Sequence, residues 1–291
     1  MGVSIQFDVV VVGSCNFDLV STTSHLPSPG ETLRAIEYAE HAGGKGLNQA
    51  VACARMGART AFIGCVGNDS AGNMLRDLLI SEGVDTSQLT TVDAPTGRAF
   101  ITVETSGENT IVIVAGANAY VGETAITVPR SRVVLAQLEI PLDVVVEVFT
   151  QARKQGAMTV LNPAPATKLS AHLLSLCDIA VPNETECAAL GGTHALLHAG
   201  VSTVITTLGE RGAEISDGTI TTAVASHSVT PVDTVGAGDA FVGAICSEIA
   251  RGASIHEAAK VASIAGALAT TVRGAVPSLP VRATVMPYYA D

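Results

Sequence analysis

The sequence predicts an α/β fold: a mainly parallel β-sheet covered by helices, with a second, smaller sheet beside its strand ends. Three observations carry this. The chain has 291 residues and is 47% apolar, enough to bury one large core. From Val133 to Val181, short β-branched runs alternate with amphipathic stretches, which is the pattern of βα winding. Between Gly97 and Val114, two apolar runs flank Thr105-Ser106-Gly107-Glu108-Asn109, a hairpin that interrupts the winding and points to a separate sheet.

In chain order, Val9-Val10-Val11-Val12 reads as a strand buried on both faces and ending at Gly13. Asn16 and Asp18 follow at its carboxyl end, where α/β proteins bind small molecules, although an Asx turn explains Asn16 equally well. Pro27 to Thr32 is turn chemistry, leading to an extended piece through Tyr38. Gly43-Gly44-Lys45-Gly46-Leu47-Asn48-Gln49-Ala50 then passes into an amphipathic helix that ends at Gly57, with Ala50, Val51, Ala54 and Met56 inward. Its spacing is not G-x-x-x-x-G-K-[ST], so Lys45 is not read as a P-loop lysine. Thr60 to Val66 is a strand and Ser70 to Ser81 a helix. Strands from about 16–24, 33–41, 98–104 and 110–114 form the small sheet, either a lid that excludes water or an ordinary edge structure.

The winding resumes with strand 133–137, helix 142–155, strand 158–161, a helix near 169–176 and strand 179–181. Polar groups cluster after these strands: Glu139, Asn162 and Asn183-Glu184-Thr185-Glu186. Asn183 and Glu186 fit a capping box, and they fit equally a pair on one helix face that orients metal-bound water. Cys187 to Gly209 lacks Asp, Glu, Lys and Arg, but its glycines and histidines make it a helix end, a short helix and a buried strand rather than a membrane span. Strand 201–206 runs into Thr207-Leu208-Gly209-Glu210-Arg211-Gly212, and strands 213–216 and 219–224 flank an Asp217-Gly218 turn. Ile255 to Thr270 is a small-residue helix, and Val272 to Ser278 is a loop rich in available carbonyls.

A net charge of -11 and a pI near 5.0 argue against nucleic-acid or anionic-membrane partners, whose phosphates need a basic surface. Six cysteines, without CxxC or zinc spacing, sit in apolar runs as free thiols do, which suits a reducing cytosol. Met1 to Asp8 lacks the basic segment and apolar core of a signal peptide.

The stretch Asp233-Thr234-Val235-Gly236-Ala237-Gly238-Asp239 opens a long apolar helix. Unpaired N–H groups in a first helical turn, stripped of side chains by glycine, make an anion site. Asp239 beside it supplies the base that phosphoryl transfer to an alcohol needs. A glycine turn with a helix-start Asp is the plainer reading of this stretch alone.

Gly43-Gly44-Lys45-Gly46-Leu47-Asn48, Pro182-Asn183-Glu184-Thr185-Glu186 and Asp233 to Asp239, in this order, resemble the PfkB carbohydrate kinases, and further similar pieces extend the match from about Val9 to Pro280. The resemblance implies one Rossmann-like, three-layer kinase domain over residues 1–291 with a β lid. It implies ATP-dependent phosphorylation of D-ribose at O5, Mg2+ with the ATP, activation by K+, a homodimer through the lid, and a cytoplasmic location with the nucleus open. Asn16, Asp18, Gly44, Lys45, Asn48 and Glu139 would hold the sugar with Asp239 as base, and Gly236, Ala237 and Gly238 would form the anion hole. Asn183, Thr207, Leu208, Gly209, Glu210, Arg211, Gly212, Gly238 and Ser263 would line the nucleotide site. Glu186 would order Mg2+ through water, and Asp233, Val235, Ala269, Val272, Gly274 and Ser278 would ligate K+. The segment between Glu186 and Thr203 is shorter than the family's usual helix–loop–helix. Another acceptor (2-deoxyribose, another sugar, or a nucleoside such as adenosine) and a catalytically silent sensor remain open.

Overall fold

The computed structural model describes residues 4–290, so the first part of the Met1 to Asp8 reading lies outside the described residues. In chain order the first half runs β1 (Phe7–Val12), β2 (Asn16–Thr23), β3 (Glu37–Gly43), α1 (Lys45–Arg55), β4 (Thr60–Gly67), α2 (Ser70–Ser81), β5 (Asp85–Val92), β6 (Gly97–Glu104) and β7 (Asn109–Val114). The winding continues through β8 (Ser131–Ala136), α3 (Leu142–Lys154), β9 (Met158–Leu161), α4 (Ala171–Ser175), β10 (Ile179–Ala180), α5 (Glu184–Ala189), α6 (Thr193–His198) and β11 (Thr203–Thr207). It ends with β12 (Ala213–Ser216), β13 (Thr221–Val224), α7 (Ala237–Ala250), α8 (Ile255–Ala269), α9 (Ala275–Ser278) and α10 (Arg282–Ala290).

The main sheet has nine strands in the order β13-β12-β11-β10-β9-β8-β1-β4-β5, parallel except that β12 pairs antiparallel with both β11 and β13. Alternation within the valine run builds both faces: Val9 and Val11 join a core with α1, α7 and α8, while Val10 and Val12 join one with α3. The chain winds from β1 to β4 on one side and returns to β8 on the other, so the winding direction reverses at β1. The crevice outside the carboxyl ends of such strands is where open α/β sheets hold ligands.

The second sheet, β3-β2-β6-β7, is mixed: β2 pairs in parallel with β6, and both outer pairs are antiparallel. Strand β3 starts and ends later than the expected 33–41, because the pairing opens only at Thr22↔Glu37 and continues to Asn16↔Gly43. Two further expectations need correction. The carbonyl-rich loop is shorter than Val272 to Ser278, since its last four residues form α9. Strand β5 and helix α10 were not foreseen at all. Leu89 is the one buried side chain of β5, an edge strand without a hydrophobic rhythm, and Val285 is the one buried residue of α10.

Candidate active site

Helices α1 and α7 bring the polar groups together. They cross where Gly243 has no side chain: a Cβ there would lie 2.3 Å from that of Ala52. Cys53 Sγ donates to Gly243 O and Ser247 Oγ to Cys53 O, which fixes the crossing. One turn toward the amino end of each helix, Asn48 and Gln49 therefore meet Asp239. Asn48 Nδ2 donates to Asp239 Oδ2 at 2.9 Å, and Gln49 Nε2 donates to Asp239 Oδ1 at 2.9 Å. Asp239 is 9% exposed, so two charge-assisted hydrogen bonds offset its loss of water.

Around this carboxylate lie the other expected sugar residues. Glu139 follows β8 and accepts the Lys45 backbone N–H at 3.1 Å, placing a negative charge at the start of α1. Ser14 Oγ donates to the same carboxylate oxygen. Asn16 Oδ1 accepts from Asn118 Nδ2 at 2.8 Å. Gly44 has φ 90°, and a Cβ there would lie 2.7 Å from Asn16 N. Asp18, on β2, fills the space that a Gly43 side chain would take, with Oδ2 2.2 Å from the position of the absent Cβ. Burial raises its pKa to about 7, and the negative charges of Glu139 and Asp239 push the same way, so the three acids share one cleft. Asp18 Oδ1 and Asn48 Oδ1 are buried acceptors without a protein donor.

On the far side of the cleft, α7 starts at Ala237 with Gly236 as a left-handed N-cap, φ 84°. A Cβ on Gly238 would meet nothing within 4 Å, so its backbone is open to close approach. Ala237 N–H makes a long bond to Thr234 O, 3.3 Å. The residues expected to hold a monovalent cation surround this loop. Asp233 accepts from Val235 N at 3.0 Å and Gly274 N at 2.8 Å, and Ser278 Oγ reaches Val235 O at 3.4 Å and Ala275 O at 2.7 Å. Val272 N bonds Ala269 O across the end of α8. This set, five backbone-bearing positions and one carboxylate, is hard oxygen, as K+ requires.

Of the expected nucleotide residues, Asn183 and Thr207 to Gly212 lie at the ends of β10 and β11, Gly238 in the first turn of α7 and Ser263 in α8. Asn183 bridges to Thr207, Leu208 N donates to Gly212 O, and Gly209 to Arg211 form a 3-10 turn. A Cβ on Gly212 would strike Val224 O, so the turn lies against β13. Ser263 Oγ donates to Ala225 O at 2.9 Å just beyond that strand. Exposed Arg211 and Glu184 pair at 2.6 Å, while Glu210 lies exposed in the same turn. Asn183 and Glu186 form the capping box of α5, in which Glu186 Oε2 accepts the Asn183 backbone N–H and Asn183 Oδ1 accepts that of Glu186.

Sequence reasoning did not single out Gln49, Gln137 or Asn118 as site residues, and it noted Asn162 only as a polar strand end. Their signal is a polar side chain at a position the apolar rhythm assigns to the core: Gln49 and Gln137 are 0% exposed and Asn118 1%. A cavity of about 290 Å³, lined by Asp8, Arg132 and Arg251, lies at the opposite end of the sheet, where Arg251 Nη2 donates to Met56 O and Gly57 O at the close of α1.

Residues 6–282 match the family model of the pfkB family carbohydrate kinases. The chain belongs to this family. A ribokinase of Haemophilus influenzae is 39% identical over 292 residues, covering 94% of this chain and 95% of that protein. The ribokinase structure from Thermotoga maritima superposes with TM-score 0.91 and 33% identity, over 98% of this chain and 100% of that one. Arabidopsis thaliana ribokinase, solved with ribose and ATP, gives TM-score 0.88 and 30% identity, over 99% of this chain and 100% of that one. As a pfkB kinase the chain has the three-layer, Rossmann-like core and small β-sheet expected from its motifs. Among the described residues no helix is long and apolar enough to cross a membrane.

Proposed function

We propose that this pfkB kinase transfers the γ-phosphoryl group of ATP to O5 of D-ribose, giving D-ribose 5-phosphate and ADP. The observation that carries this reading is the pair of unpartnered buried acceptors, Asp18 Oδ1 and Asn48 Oδ1, beside the held carboxylate of Asp239. Buried acceptors without donors call for a ligand that supplies O–H groups, and a free sugar supplies several. Asn16, Asp18, Gly44, Lys45, Asn48 and Glu139 hold the hydroxyls. Asp239 takes the O5 proton as O5 bonds to the γ-phosphorus, the bond from phosphorus to the bridging oxygen breaks, and ADP leaves. The first-turn N–H groups of Gly236, Ala237 and Gly238 stabilise the charge on the transferred group.

Asn183, Thr207 to Gly212, Gly238 and Ser263 bind the nucleotide. Asn183 and Glu186 would hold the waters of Mg2+, which when bound neutralises the phosphate oxygens. Asp233, Val235, Ala269, Val272, Gly274 and Ser278 would hold K+, which when bound would supply positive charge beside the anion-hole loop. The whole chain works as one kinase unit, with β2, β3, β6 and β7 as a lid that excludes water and pairs two subunits. Six free, buried thiols suit a cytoplasmic setting.

The test is ADP release across pentoses, hexoses and nucleosides, with Mg2+ and either K+ or Na+. Ribose should have the highest kcat/KM; a nucleoside or 2-deoxyribose in first place would replace ribose as the acceptor, and no turnover on any would point to a sensor.

A further inference from the structure

Gln49 lies behind the proposed catalytic carboxylate with no access to solvent, and its amide is fully committed. One N–H goes to Asp239 Oδ1 at 2.9 Å and the other to Asn162 Oδ1 at 2.9 Å, while its Oε1 accepts from Gln137 Nε2 at 2.5 Å. Asn162 is itself fixed. Asn162 Nδ2 donates to Val181 O at 2.8 Å, which turns its Oδ1 toward Gln49. Gln137 is seated over Gly13, where a Cβ would lie 2.2 Å from Gln137 Oε1; that oxygen has no protein donor, so Gln137 is held by packing and by its bond to Gln49. An amide can flip by 180°, exchanging donor for acceptor. Here a flip would set Gln49 Oε1 against both Asp239 Oδ1 and Asn162 Oδ1, and would set its NH2 against the NH2 of Gln137.

We infer that Gln49 is a positioning residue for Asp239, its amide held in the donating orientation by Gln137 and Asn162. The inference rests on the reading of Asp239 as the base. Gln49 is 0% exposed, so it meets the reaction only through Asp239. With Oδ1 held by Gln49 and Oδ2 by Asn48, the carboxylate plane is fixed before substrate arrives, and no rotamer search is left for the proton-transfer step. A network of buried amides that served packing alone would be replaceable by apolar side chains of equal volume at little cost. One that aims a base would not.

The experiment is a double-mutant cycle with ATP, Mg2+ and ribose, combining Gln49→Met with Asp239→Asn. Gln49→Met alone should lower kcat by roughly 10- to 100-fold while the KM values for ribose and ATP move by less than about threefold, the split expected when a transition-state contact is lost. In the Asp239→Asn background the same change should cost less than about twofold, because the carboxylate it serves is gone. Gln137→Met keeps the Gln49 donor but removes the partner of its Oε1, leaving only Asp239 and Asn162 to oppose a flip, and should lower kcat by roughly 3- to 10-fold with the same KM pattern. It takes the place of Gln49→Met in the cycle if that variant does not fold. An equal loss in both backgrounds, or a loss confined to KM, overturns the inference. Near-normal turnover of Asp239→Asn alone is a different result, and it removes the base assignment itself.

Discussion

Asp18 is a carboxyl group that the fold resists ionising. Its pKa is raised to about 7, first by burial and then by Glu139 and Asp239. The unfolded chain releases that proton near the ordinary carboxylate value while the folded protein keeps it. The free protein therefore loses stability as pH rises from about 4 to about 7, by up to about 1.4 kcal/mol for each pH unit crossed, and changes no further from this group above that. Asp18→Asn should raise Tm relative to wild type more at pH 8 than at pH 5 in ribose-free buffer; an offset independent of pH would contradict the assignment. The same group should discriminate substrates. Removing the 2-hydroxyl leaves a buried acceptor unpaired at about 1–3 kcal/mol, so 2-deoxyribose should fall roughly 10- to 100-fold below ribose in kcat/KM, and Asp18→Ala should narrow that gap. Equal use of both sugars by the wild type would refute this account of the pocket. Asp239→Asn should cost roughly 10²–10⁴-fold in kcat with nucleotide affinity nearly intact, measured by initial rates and ADP titration.

At the level of elements, the proposed reaction divides between the strand-to-helix joint before α1, which would hold the sugar, and the loop before α7, which would hold the transferred phosphoryl group. Gly43 ends β3 opposite Asn16, and its missing side chain is the seat of the Asp18 carboxyl. Gly43→Ala should displace that carboxyl at an overpacking cost of about 1–3 kcal/mol, raising the KM for ribose roughly tenfold with a smaller change in kcat. An unchanged KM would mean that Asp18 does not hold the sugar. The loop before α7 is braced mostly by backbone oxygens and by Asp233, which ties Val235 N and Gly274 N together. K+ should therefore raise kcat over Na+ at matched ionic strength, and equal rates would reject the cation site.

Over the whole molecule, the small sheet ends in β7, whose Ile111, Val112, Ile113 and Val114 are 53%, 63%, 49% and 48% exposed on an open edge. An uncovered apolar edge strand is a pairing surface. Sedimentation should give twice the 29.6 kDa of one chain, and Val112→Lys with Val114→Lys should return it to one; a wild-type monomer would leave the edge without this partner.

The same scale separates what was legible in the sequence from what was not. The β-branched and amphipathic rhythms located most of the main sheet and its helices within a residue or two, because burial on two faces or one imposes those periods locally. Edge strand β5 and the terminal helix α10 carried no such rhythm, since each buries a single side chain. The glycine segments marked the cleft because glycine alone leaves the backbone open there, at Gly44 through its positive φ and at Gly238 through the empty space beside it. Gln49, Gln137, Asn162 and Asn118 are different. Each is an ordinary polar residue until residues far apart in the chain are packed together, Gln49 against Asp239 across 190 positions and Asn118 against Asn16 across 102. The sequence by itself determined most of the elements and the glycine-rich loops through local steric and periodic constraints. Only the tertiary structure decided which buried donors hold the carboxylates, because a hydrogen bond between distant residues leaves no period in the chain.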